Sequence, residues 1–199
     1  MKKSDFLKIL IIAGVLAGCR EVAVPRPKGY FRIDFPAKEY NSYSDSMSRS
    51  ADMPVRFEYP AYGTLFRFSE GISEPGWFNI NFPAFKATIY LTYKSINNDL
   101  EALMEQTYRM NVKNHIAKAD AINEQIIADR DRKVFGILYD LKGNTATAVQ
   151  FFVTDSTNHY LRGSLYFDAE PNPDSLAPVV AFFRDDIIHL IKTLTWKEE

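Results

Sequence analysis

The sequence predicts an α+β domain: an antiparallel β-sheet packed by two main helices. Three observations carry that reading. Short runs rich in aromatic and β-branched residues, with period-two alternation, occupy residues 30 to 93 and again 133 to 167. Between them, apolar residues recur at helical spacing from Leu100 to Val112. A wider apolar stripe runs from Val179 to Leu194 near the end of the chain. Strands, helix, strands, helix in that order build a layered sandwich.

Ahead of the domain the chain has another character. Met1-Lys2-Lys3 precedes an apolar run from Phe6 that ends in Leu16-Ala17-Gly18-Cys19. A basic head, a short apolar stretch and small residues at the cut site make a secretory signal peptide. Ile9 to Ala17 is about half the ~20 apolar residues that a bilayer crossing needs. With cysteine directly after the small pair, the segment resembles a bacterial lipoprotein lipobox. That resemblance implies removal of residues 1–18, a diacylglycerol thioether on Cys19 and usually a third acyl chain, such as palmitate, on its new amine. Two or three chains give lasting membrane attachment. Residues 19–29, with Pro25 and Pro27, form an extended tether, and residues 30–199 form one globular domain.

Cys19 is the sole cysteine, so the domain holds together without disulfides. The chain carries a net −1, and residues 1–18 hold Lys2, Lys3, Lys8 and Asp5, a net +2, which leaves about −3 on the remainder. No basic block points to nucleic acid.

The elements follow in order. Tyr30 to Pro36 alternates as a strand and resembles Trp77 to Pro83; with Ala37 and Ala84 included, five of eight positions match. An old duplication or two strands ending in similar Phe-Pro corners both explain this, and the second is preferred because nothing beyond either octet continues the match. Asn41 to Ser50, with serine at every even position from Ser42, reads as a surface loop. Val55–Tyr59 and Leu65–Phe68 read as a hairpin around Pro60-Ala61-Tyr62-Gly63. Asn79–Phe82 and Thr88–Tyr93 read as another through Pro83 to Lys86.

Asn97 or Asn98 caps a helix whose face is Leu100, Leu103, Met104, Tyr108 and Val112, running to about His115 or Lys118. Ala121–Ile127 fits a helical face or a strand, and strand is chosen. Lys133–Leu141, Thr145–Thr154 and His159–Phe167 form an antiparallel meander, with Gly136 and Gly163 marking a bulge or a close approach. Pro171 to Ser175 caps the last helix, with Pro178 in its first turn. This element order resembles the PsbP or Mog1 type of sandwich.

Catalytic patterns are missing. No His-x-x-x-His or Cys-x-x-Cys spacing exists for a metal, and no cofactor is implied. His189 follows Asp185 by one turn, as in an ordinary i,i+4 pair. Gly163-Ser164 lacks the rest of a Gly-x-Ser-x-Gly elbow. Asp155, Ser156 and His159 crowd one turn, where a triad would need improbable folding. Asp185 and Asp186 point to different sides of a helix. The remaining candidate is an aromatic cluster, Tyr30, Tyr59, Tyr62, Trp77, Tyr90 and Tyr93, which either stacks on a glycan or builds the core. Trp196 reads as a packing plug.

Several long strings, in order, then point to a family. Gly29-Tyr30-Phe31-Arg32-Ile33-Asp34-Phe35-Pro36, Gly136-Ile137-Leu138-Tyr139-Asp140-Leu141-Lys142-Gly143-Asn144, Val149 to Ser156, Leu161-Arg162-Gly163 and Asp174 to Val179 resemble the gliding-motility lipoprotein GldD family of the Bacteroidota. The resemblance runs from the lipobox to Trp196. It implies a non-catalytic envelope lipoprotein required for gliding and linked to type IX secretion, with Cys19 as the lipid attachment point. It also makes Arg32, Asp34, Asp140, Lys142, Asn144, Gln150, Asp155 and Arg162 candidates for a partner-facing patch on other gliding or secretion envelope proteins. Turn formation and internal hydrogen bonding are the alternative roles for these residues. Arg20 after the cysteine is not the aspartate of inner-membrane retention, so the expected place is the outer membrane, facing the periplasm. The alternative function is a glycan- or lipid-binding envelope lipoprotein that uses the aromatic cluster.

Overall fold

Seven strands hydrogen-bond into one sheet, each antiparallel to its neighbours. The computed structural model describes residues 32–43, 53–66, 76–169 and 172–197. The strands are β3 (Thr64–Phe66), β4 (Trp77–Phe82), β5 (Ala87–Ser95), β6 (Ala119–Asp129), β7 (Val134–Gly143), β8 (Thr147–Thr154) and β9 (His159–Phe167), and they lie in the order β3-β4-β5-β9-β8-β7-β6. A second, three-stranded sheet joins β1 (Tyr40–Tyr43), β2 (Val55–Pro60) and β10 (Thr195–Trp196), with β2 in the middle. Helix α1 spans Leu100–Tyr108 and α2 spans Pro173–Thr193. The α+β class, the antiparallel pairing and the two helices are as the sequence predicts. Asp34–Glu199 is one compact unit, and Met1–Ile33 is assigned to another. The signal peptide, Cys19 and most of the tether lie outside the described residues.

Alternation puts one set of side chains on each face of the large sheet. Phe78, Ile80, Ile89, Leu91, Val149, Phe151, Leu161 and Leu165 are buried on the face that α2 covers with Val179, Phe183, Ile187 and Leu190. The small sheet joins this core through Val55, Phe57 and Tyr59. The other face carries a smaller cluster of Tyr139, Leu141, Phe152 and Tyr160 beneath Leu103 and Val112.

Several expectations are corrected. Val55–Tyr59 and Leu65–Phe66 do not pair with one another. A tight turn, with Gly63 N–H donating to the Pro60 carbonyl at 2.9 Å, sends them into different sheets. There β2 pairs with β1 and β10, while β3 pairs with β4. Arg32–Pro36 is not a strand; Phe35 instead stacks on Phe182 at 4.4 Å, which uses its ring without a backbone ladder. Asn41–Tyr43 belongs to β1 and not to a loop, and the rest of the serine-rich stretch, residues 44–50, lies outside the described residues.

The first helix is shorter than its pattern. Asp99 occupies the N-cap, after Asn98 at a φ of 59°, and the chain passes into a π-helical turn at Arg109–Lys113. The extra residue of a π-turn rotates the following side chains. Leu103 and Thr107 are buried ahead of that turn and Asn111 and Val112 within it, whereas Met104 and Tyr108 are each 41% exposed.

Ala121–Ile127 is strand, inside β6, and the meander forms as β7-β8-β9. Gly136 and Gly163 serve close approach: a Cβ at Gly136 would strike the Phe152 carbonyl, and one at Gly163 the Phe151 ring. The bulges fall elsewhere, at Ala119/Ala121 and Thr147/Val149. Asn172 caps α2 by accepting from Ser175 N–H at 3.2 Å. Because that helix starts at Pro173, Pro178 stands in the second turn, at the cost of one ladder bond.

Candidate functional site

Where the N-terminal half of α2 lies over the ends of β6, β7 and β8, the packing is incomplete. Ala146 and Ala148 on the sheet side face Ala177 and Ala181 on the helix, and these short side chains leave a cleft of about 560 Å³. Its lining is mainly apolar, with Phe167 and Val180 deepening it and polar groups along the mouth. That is the usual composition of a ligand or side-chain pocket.

One firm ionic contact sits at the mouth. Arg184 Nε donates to Asp140 Oδ1 at 2.7 Å and Nη2 to Oδ2 at 2.9 Å, while Nη2 also reaches Gln125 Oε1 at 3.1 Å. This bidentate fork fixes helix to sheet and raises the Arg184 pKa above its ordinary value. Lys142 lies two residues on from Asp140, on the same face of β7, and also lines the cleft. Gly143 has a φ of 101°, and a Cβ there would come within 2.7 Å of the Asp120 backbone nitrogen. Glycine at that position lets the bulged start of β6 close against the strand end.

The eight candidate residues do not form one patch. Asp140 and Lys142 meet at the cleft, and Asn144 is exposed in the turn beyond it. Arg32 and Asp34 are exposed in the stretch ahead of β1. Gln150 is 1% exposed, so its side chain lies inside the molecule and faces no partner. Arg162 is on the α1 face of the sheet, with Nη1 at 3.0 Å from Met110 Sδ. Asp155 organises its own turn: Oδ1 accepts from the N–H groups of Thr157, Asn158 and His159 at 3.0, 2.9 and 2.8 Å. Burial pushes its pKa up, but the donated N–H groups outweigh burial and hold the carboxyl below its ordinary value.

Nor do the aromatics converge. Tyr59 and Tyr93 are core residues, and Tyr93 Oη lies 2.8 Å from His159 Nδ1. Tyr62 is bonded to Asp186. Trp77 and Tyr90, 42% and 44% exposed, stand on the α1 face, and Tyr30 is outside the described residues. Trp196 is a packing element, stacked on His159 at 5.3 Å with its indole N–H donating to the Lys133 carbonyl at 2.8 Å. His189 pairs with Glu58 at 2.7 Å, not with Asp185, because Tyr40 stacks on its ring at 3.6 Å and aims it across to β2.

Sequence reasoning set Asp186 beside Asp185 only as an unpaired carboxylate and missed its role. It is fully buried and accepts from Lys38 Nζ at 2.6 Å, Tyr40 Oη at 3.0 Å and Tyr62 Oη. The same ammonium donates to the Phe182 carbonyl at 2.7 Å and stands 3.4 Å over the Phe182 ring. The readable signal was a carboxylate inside the apolar stripe, three residues after Phe183 and four before Leu190.

Among the described residues no group of three or more His, Cys, Asp or Glu side chains converges, and no helix is long and apolar enough to cross a membrane. The family described as gliding motility lipoprotein GldD matches residues 20–196. No protein of curated description matches the chain. Among solved structures, the solution structure of cyanobacterial PsbP from Synechocystis sp. PCC 6803 is similar, with a TM-score of 0.48 and 11% identity, covering 81% of this chain and 94% of that one.

Proposed function

The chain belongs to the gliding-motility lipoprotein GldD family, and from that premise we propose that it is a non-catalytic outer-membrane lipoprotein that docks on envelope partners through the α2 cleft. Family membership places it among lipoproteins of the cell envelope. In this reading Cys19 carries the lipid, the domain faces the periplasm, and the partners belong to the gliding and type IX secretion machinery.

One observation supports docking more than any other: Asp140 and Lys142, two polar residues of the family strings, stand at the mouth of an apolar cleft of about 560 Å³. An apolar partner side chain seated there gains about 25 cal/mol per Å² of apolar surface removed from water, and the charged mouth sets its orientation. The same cleft supports a second reading, in which it receives a lipid. Ring stacking on a glycan has less support, since the tyrosines and Trp77 are dispersed.

Photo-crosslinking in intact cells from positions 142 and 177 separates the two. Recovery of motility or secretion proteins is expected, and recovery of lipid alone would replace docking with ligand binding. Ala177→Trp, which fills the cleft, should abolish the crosslink and gliding while leaving the melting temperature near that of the parent. A Cys19→Ser chain should fold normally and fail to support gliding; full gliding from this soluble form would exclude a need for the anchor.

A further inference from the structure

The two edges of the large sheet are built differently. At one end β3 has three residues, and so short an edge offers little backbone to another chain. At the other end β6 runs for 11 residues, and among the described residues its one strand neighbour is β7. None of the 11 is buried, and Ile126 is 79% exposed. Among the described residues, one backbone hydrogen bond of β6 falls outside its ladder with β7. Ala119 N–H donates to the His115 carbonyl at 2.9 Å, at the very start of the strand. Beyond that point every second residue aims its N–H and C=O away from β7. Proline and lysine, which commonly blunt such an edge, are both missing from Ala119–Asp129.

Side-chain placement gives this edge a pattern. Gln125 reaches Arg184 of α2, so the odd-numbered residues of β6 lie on the α2 face. Ile122 packs on the cluster around Tyr139, which sets Ile122, Glu124 and Ile126 in a row on the α1 face. Ile126 stands opposite Ile137 of β7, itself only partly buried. The row therefore reads apolar, acidic, apolar. Asp129 is already bonded to Arg132 in the hairpin turn. Among the described residues no cation forms an ion pair with Glu124.

We propose that β6 accepts an extended segment of a partner protein as an eighth strand, and that the segment reads apolar-x-basic-x-apolar. Backbone pairing supplies the affinity, and alternate side chains supply the choice. Cross-strand neighbours stand about 4.5–5.5 Å apart. A Lys or Arg of the segment opposite Glu124 thus meets an unpaired carboxylate, and its apolar neighbours cover Ile122 and Ile126. A second copy of this chain is a poorer occupant, because its own β6 offers only Asp, Glu, Asn and Gln as polar residues. The row lies on the face away from the α2 cleft, so the proposal does not rest on docking there.

The probe is a blocked heptapeptide in which valine, lysine and valine alternate with threonine, titrated against the full chain in detergent micelles. Saturable binding is expected by fluorescence anisotropy, with slowed amide hydrogen exchange at alternate residues of β6. Methylating the peptide's backbone nitrogens in one alternate phase should abolish binding, and methylating the other phase should leave it unchanged. Replacing the lysine with glutamate should weaken binding by about tenfold, and Glu124→Lys should reverse that preference. Ala177→Trp, which fills the cleft, should leave the affinity as it is. No saturable binding, equal effects of the two methylation phases, or equal affinity for the glutamate peptide would each overturn the proposal. Loss of binding in Ala177→Trp would move the peptide to the cleft and overturn the edge. Protection of β6 that rises with protein concentration, without peptide, would give the edge to a second copy and overturn the partner segment.

Discussion

The two faces of the seven-stranded sheet satisfy their polar groups in opposite ways. On the α2 face, buried Asp186 has three donors and Asp140 holds a bidentate arginine. On the α1 face, Asn111, Gln150 and Arg162 keep unpaired atoms under a distorted helix. The first arrangement fixes helix to sheet. The second forgoes stability. Sequence explains the contrast: α2 presents Val179, Phe183, Ile187, Leu190 and Ile191 to the sheet within a helix of 21 residues, while α1 runs for nine before its π-turn.

Substitutions can break or sharpen this contrast. The largest effect is expected from Phe183→Ala, which empties the centre of the α2 core and should lower unfolding free energy by about 3–5 kcal/mol in a denaturant titration. A loss under 1 kcal/mol would mean that α2 is not the principal packing layer. Asp186→Ala should follow, at about 2–3 kcal/mol, because it strands Lys38 and two tyrosine hydroxyls together.

Gly136→Ala should destabilise by about 1–3 kcal/mol, since its methyl meets backbone and not a movable side chain. Asn111→Leu should have the smallest effect and the opposite sign: neutral, or stabilising by about 1 kcal/mol, because it removes two orphan atoms. A marked destabilisation there would show that the amide is satisfied in solution.

A pH scan sharpens the same contrast. Burial first, and then the Asp186 carboxylate, pushes the Tyr40 pKa up to about 12 and moves that of Tyr62 further in the same direction. The folded state thus holds these phenolic protons more tightly than the unfolded chain, whose tyrosines titrate near 10. Their contribution is complete below pH 10 and is lost as pH rises toward 12. Melting temperature should fall over that window. The fall should be shallower in Tyr62→Phe, and an unchanged slope would remove Asp186 as the organising charge.

Periodicity made most of the fold legible. The meander was readable because turn residues bound each strand, and α2 because its stripe is continuous. The partners of the first two predicted strands were not, since Val55–Tyr59 and Leu65–Phe66 alternate equally well whichever sheet receives them. The first helix was overextended because sequence spacing carries no mark of a π-turn. Asp140 and Lys142 could be named from the family strings, but the cleft beside them arises from alanines brought together from β8 and α2. Likewise Gln150 and Arg162 were visible as polar residues in strands, and only register showed that they share a face with Asn111.

The clamp around Asp186 has a mechanical consequence. Lys38 and Tyr40 precede the rest of the domain, and both are bonded to the middle of α2. Tension arriving along the chain ahead of Asp34 is therefore delivered into the shaft of a 21-residue helix before it reaches the ladder of β1 on β2. The load then spreads over the whole α2 interface, and strands cannot be peeled away one at a time from an edge.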